Sequence, residues 1–125
     1  MDQKEQIVTS YIDAYNKMDV EGMVFHLHPD IVFKNVSNGN VDMTLNGLTE
    51  FKQQATNALQ VFTSRKQTIT AVSHSDNSVT VDIHYKATLA VSLPNGLNPG
   101  DILEMTGKSI FKFEAAKIIE LTDVS

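Results

Sequence analysis

The sequence predicts an α+β domain whose N-terminal helices cover one face of a curved antiparallel sheet and enclose a mostly apolar pocket. Three observations carry this. Apolar residues recur at helical spacing through the first half of the chain, and from Lys66 onward the period changes to two. Helices are grouped first and strands afterward, without βαβ alternation, which predicts an antiparallel sheet with helices packed on one face. A chain of 125 residues has the size of one ordinary domain, so residues 1–125 are read as a single unit.

Each element has its own signal. From Gln3 to about Met18, Ile7, Val8, Tyr11, Ile12, Ala14, Tyr15 and Met18 form the broad stripe of a helix lying against a core. Asp19 can cap a second, short helix, with Glu21 in its first turn and Val20, Met23, Val24 and Leu27 at helical spacing until Pro29. Residues 31–36 are a β-rich hexamer that ends at the turn-forming run Ser37-Asn38-Gly39-Asn40. A third helix follows Asn46-Gly47, with Leu48, Phe51, Ala55, Ala58, Leu59 and Phe62 on one face. Beyond it, Val79, Val81, Ile83, Tyr85, Ala87, Leu89 and Val91 alternate with polar residues, as in a long strand with one buried face. Residues 93–100 are a loop by composition, residues 102–113 a second long strand, Ala115-Ala116 a weak turn and residues 117–123 a final strand. The expected total is three helices, one short strand and at least four longer ones.

Composition removes several function classes. The net charge is −5, and the nine lysines and single arginine, Arg65, are spread along the chain, so the basic face of a nucleic-acid binder is not expected. No stretch approaches membrane-spanning length and the first twenty residues lack the apolar run of a signal peptide, so cytoplasmic residence is the expectation. With no cysteine, disulfides and thiolate chemistry are excluded. His26 and His28 are two apart at a helix end and face different directions, and no HExxH occurs, so no metal site and no cofactor are expected.

The runs YIDAYNKMDVEGM, HPDIVFKN, LNGLTEF and TGKSIFKFEAAKIIELTDVS resemble, in order and over nearly the whole chain, the successive signatures of SnoaL-like domains. These domains belong to the superfamily of nuclear transport factor 2 and ketosteroid isomerase. The resemblance implies a cone-like half-barrel, or cystatin-like roll, with three N-terminal helices packed on the concave face of the sheet. It also implies a homodimer formed through the outer sheet face. It does not transfer chemistry, because such superfamilies host isomerases, hydratases, cyclases, epoxide hydrolases and non-catalytic binding modules.

Pocket chemistry therefore rests on individual residues. Ile31, Phe33 and Asn35 share one strand face, so Asn35 is expected to point inward. The resemblance puts Asn35 where ketosteroid isomerases carry an aspartate general base, and an amide cannot accept a proton at neutral pH. Tyr11 matches their oxyanion-stabilising tyrosine, and Ser109 falls at their second acid position. Ile119, Leu121 and Asp123 share parity, so Asp123 is expected beside apolar neighbours with a raised pKa, able to act as base or acid. A late-strand aspartate has that role in related cyclases and epoxide hydrolases. The epoxide hydrolases also need an arginine between two aspartates, and Arg65 is expected between the third helix and the sheet, away from that role. His26 or His28 near the pocket mouth is an alternative base.

Tyr11, Asn35 and Asp123 are thus the catalytic candidates. Tyr15, Phe33, Phe51, Phe62, Tyr85, Ser109 and Phe111 are the candidate ligand contacts. The expected function is that of a small-molecule pocket protein: a cofactor-independent isomerase, cyclase or (de)hydratase acting on a small hydrophobic or amphipathic ligand. The alternative is a non-catalytic ligand-binding or dimerisation domain.

Overall fold

Asp19 ends one helix and starts the next. In the computed structural model, which describes residues 3–125, helix α1 spans Gln3–Asn16 and buries Val8, Tyr11, Ile12 and Ala14. Met18 adopts a positive φ of 58°, which turns the chain. The Asp19 carboxylate then accepts from Gly22 N–H at 3.1 Å, satisfying a free amide at the start of α2, Val20–Phe25.

Helix α2 is shorter than its spacing predicts, and strand β1, Leu27–Ser37, starts earlier. Leu27 and Pro29 therefore belong to the sheet. Pro29 cannot donate to a ladder, and it falls in the register break between Leu27↔Ile118 and Val32↔Glu120, where no such donation is required. Asn38 (φ 53°) and Gly39 (φ 80°) make a two-residue turn in the left-handed region, the geometry that joins antiparallel strands. It leads into β2, Asn40–Asn46, a strand absent from the elements expected of the sequence.

Gly47, at φ 88°, turns the chain from β2 into α3, Leu48–Ala58, and the Glu50 side chain reaches back to accept from Asn46 N–H at 2.8 Å. Helix α3 buries Phe51 and Ala55. It stops before Phe62, which instead opens β3, Phe62–Ser75. Strands β4 (Ser78–Leu89), β5 (Ile102–Glu114) and β6 (Lys117–Val124) complete the sheet.

The strand order is β2-β1-β6-β5-β4-β3, and the sheet is curved and unclosed. Four of its five pairings are antiparallel, whereas β1 and β6 run parallel. At that seam β6 turns back from β5 and enters alongside β1 in the same direction, so one parallel pairing joins the otherwise antiparallel sheet. Helices α1 and α3 cover the concave face. Phe111, Ile31, Ile118, Leu121 and Val8 are fully buried between the layers. The fold is the expected α+β half-barrel. No helix among the described residues is long and apolar enough to cross a membrane.

Candidate functional site

Strand register assembles the polar floor of the site. Asn35 on β1 pairs with Asp123 on β6, and Asp123 pairs with Ser109 on β5, so three polar side chains form one row across adjacent strands. Their neighbours two residues away, Phe33, Leu121 and Phe111, pack into the core, so the row faces the helices. Above it, between sheet and helices, lies a cavity of about 210 Å³ walled by Tyr11, Phe33, Phe51 and Phe62, with Asn35 and Asp123 at its base. A second recess of about 170 Å³ runs from Tyr15, Asn35 and Asp123 toward Gly107 and Ser109. Asp123 borders both.

The Asp123 carboxyl is held among apolar groups, and its residual exposure is to these two spaces. Burial raises its pKa from the ordinary 3.8 to about 6, opposed by the Ser109 hydroxyl, which donates to Oδ1 at 2.7 Å. Tyr11 packs edge-on against Phe111, with ring centroids 5.7 Å apart. Burial, and after it the nearby Asp123 charge, push the Tyr11 hydroxyl well above the usual phenol range, while Arg65 acts in the other direction. Tyr11 therefore stays protonated and keeps an O–H to donate. Its hydroxyl has no hydrogen-bond partner among the described residues. Tyr15 donates to the Tyr85 hydroxyl at 3.1 Å, and burial raises both phenols.

The structure brings most of the expected residues together. Tyr11, Tyr15, Phe33, Asn35, Phe51, Phe62 and Asp123 border the main cavity, while Tyr85 and Ser109 border the recess. Phe111 does not line either space. It is a core residue whose contact with the site is the ring of Tyr11. Asn35 is committed elsewhere at one end, since its Nδ2 donates to Asp42 Oδ1 at 2.8 Å.

The histidines lie outside the cavity. His28 and His84 face Glu114 and Glu104 at 3.3 and 2.8 Å, His74 faces Glu5 at 3.4 Å, and His26 caps α2. Among the described residues no three His, Asp or Glu side chains converge as metal ligands would.

Arg65 is the residue that sequence reasoning misplaced. It lies within β3 and points into the cavity, where only 5% of it is exposed. Its Nε donates to the Tyr15 carbonyl at 2.9 Å, Nη2 lies 3.8 Å from Met23 Sδ, and the guanidinium carbon sits 3.7 Å over the Tyr15 ring. A signal was present, because Ile69, Gln67 and Arg65 share parity and Ile69 packs on the core. The epoxide hydrolase arrangement still fails here, since among the described residues Asp123 is the single carboxylate lining the cavity.

A family model for the SnoaL-like domain matches residues 8–121. The chain belongs to the SnoaL-like domain family. No protein of curated function matches it in sequence. Among solved structures it is similar to a candidate polyketide cyclase of Xanthomonas campestris, at 15% identity and a TM-score of 0.84, covering 98% of this SnoaL-like chain and 90% of that one. It is also similar to AclR, a candidate hydroxylase of Streptomyces galilaeus, at 19% identity and a TM-score of 0.77, covering 97% and 86%. A third is a protein of ketosteroid isomerase-like fold from Catenulispora acidiphila in complex with trimethylamine, at 14% identity and a TM-score of 0.75, covering 94% and 82%. At these identities the likeness establishes the fold of this SnoaL-like domain and leaves its chemistry to the site.

Proposed function

We propose that this SnoaL-like domain is a cofactor-independent acid–base enzyme that isomerises, cyclises or dehydrates a small hydrophobic carbonyl compound. The observation that carries the reading is Asp123, a carboxyl with a pKa near 6 at the base of an apolar cavity that also holds a protonated, unpartnered tyrosine. A base with a pKa near neutrality is basic enough to take a proton yet still ionised at pH 7. In the proposed step, the Asp123 carboxylate removes a proton from carbon next to a carbonyl. The electron pair moves onto the carbonyl oxygen, and Tyr11 stabilises that oxygen by donating a hydrogen bond. The protonated Asp123 then returns its proton to another carbon for isomerisation. In dehydration it gives the proton to a departing hydroxyl, and in cyclisation to the alkoxide formed by carbon–carbon closure. Ser109 keeps the carboxylate oriented, and Asn35 takes the part of a ligand contact. A homodimer through the outer sheet face belongs to the same reading, and light scattering should then give twice the chain mass.

Deuterium incorporation tests the chemistry without knowledge of the natural substrate. Cyclic ketones and 1,3-diketones are incubated with the protein in deuterated buffer and followed by proton NMR. Wild type should accelerate loss of the protons next to the carbonyl. Asp123→Asn should lower that rate by about 10²- to 10⁴-fold, and Tyr11→Phe by about 10²-fold. Exchange that is equally fast in wild type and Asp123→Asn would sink the mechanism. Ligand binding without any exchange would favour a non-catalytic binding domain.

A further inference from the structure

We infer that Arg65 is an anion-docking residue and that the cavity takes a small amphipathic acid, with a planar oxyanion against the guanidinium and an apolar body against the wall that Phe33, Phe51 and Phe62 form. The inference rests on the ligand pocket proposed above but not on turnover within it. Arg65 carries its charge at every relevant pH, and 95% of its surface is removed from solvent. Its partners are neutral: the Tyr15 carbonyl, the Met23 sulfur and the Tyr15 ring. Among the described residues, no carboxylate lies within ion-pair distance of it. A buried cation without a counter-charge is costly, and the cost is offset when an anion docks against it.

The free N–H groups suit that task. A guanidinium has five donors in a fixed plane, of which Nε is used by Tyr15 and Nη2 makes only the weak sulfur contact. Nη1 has no partner among the described residues, and Arg65 borders the cavity. A carboxylate or an enolised 1,3-dicarbonyl offers two coplanar oxygens for such a fork. Tyr11 is within electrostatic reach of both Arg65 and Asp123, so a ligand anchored at Arg65 would bring its other end to the proposed acid–base pair. At about 210 Å³ the cavity is smaller than the roughly 300–1,000 Å³ of drug-sized sites, which limits the ligand to one or two rings.

Calorimetric titration of the intact chain at pH 7 with benzoate, 1-naphthoate and 5,5-dimethylcyclohexane-1,3-dione, against benzamide and 1-naphthamide, tests the inference. The carboxylates should bind at least tenfold more tightly than their amides, the dione should bind in its enolate form, and Arg65→Gln should remove the preference by lowering acid affinity at least tenfold more than amide affinity. Arg65→Lys should retain part of it. If Arg65→Gln does not fold, the acid-to-amide comparison in wild type still decides. Equal affinity for acid and amide, no binding of any acid at millimolar concentration, or an acid preference that survives Arg65→Gln would each overturn the inference. Acid preference without deuterium exchange would leave anion docking standing and remove the catalytic reading. Exchange without acid preference would do the reverse.

Discussion

Asp123 holds its proton more tightly in the folded protein than in the unfolded chain, and that difference links its chemistry to stability. With a folded pKa of about 6 against the ordinary 3.8, the folded state binds more protons across that window, so stability falls as pH rises through it. The carboxyl's contribution is fully present below 3.8 and is lost above about 6, a change of up to about 3 kcal/mol. Asp123→Asn, which cannot ionise, should therefore be more stable than wild type at pH 8 by about 1–3 kcal/mol and nearly equal to it at pH 3.5. Urea unfolding at the two pH values reads this directly, and an identical difference at both would show that the carboxyl titrates normally. Ser109→Ala removes the one hydrogen bond that favours the carboxylate. Its Asp123 titration, followed by carbon NMR, should move above that of wild type. As a base, Asp123 should give a rate that rises with pH through about 6.

Strand geometry sets where these side chains stand. A Cβ built on Gly107 of β5 would lie 2.5 Å from the Val124 carbonyl oxygen, next to Asp123 on β6. Backbone cannot rotate aside as a side chain can, so Gly107→Ala should shift the end of β6, destabilise by about 1–3 kcal/mol and alter the Asp123 titration. At the other end of the same hairpin, Ala115 and Ala116 both have positive φ, 52° and 64°. Each is strained by its Cβ, so the double change Ala115→Asn with Ala116→Gly should raise stability by about 1 kcal/mol or more, measurable as a higher melting temperature.

Two turns, Ala115-Ala116 and Asn38-Gly39, separate what was legible in the sequence from what was not. Ala-Ala is a poor turn signal, yet the strands on either side alternate so regularly that the hairpin could be placed without it. Asn38-Gly39 is a strong signal, but β2 beyond it is mostly exposed and rich in Asn, Asp and Thr, so only its turn was legible. Phe62 continues the helical face of α3 by spacing alone, and tertiary pairing with Leu89 draws it into β3 instead. The polar row of Asn35, Asp123 and Ser109 is a product of register across three strands. Parity predicts that each member points inward, but not that they would be adjacent. Arg65 escaped because a register irregularity between Phe62 and Ser64 shifts the parity at the start of β3, so the inward face must be traced back from Ile69.

At the scale of the whole molecule, the first and last strands meet. Leu27 pairs with Ile118 and Phe33 with Leu121, so β1 and β2 are joined to the rest of the sheet through β6, while α1 packs directly on β3 and β4. Truncation after Ala116 should therefore yield an aggregation-prone chain, not a weaker binder, as size-exclusion chromatography would show. If the truncated chain stays monomeric and melts cooperatively, β6 is dispensable for folding. The seam also has a temporal consequence during synthesis. Until residues 117–124 have left the ribosome, β1 and β5 each present an open strand edge with nothing to fill it. A chain that pairs its earliest strand with its latest gains little from folding as it emerges. Closure of that seam waits for β6, and this is the interval in which a chaperone would matter most.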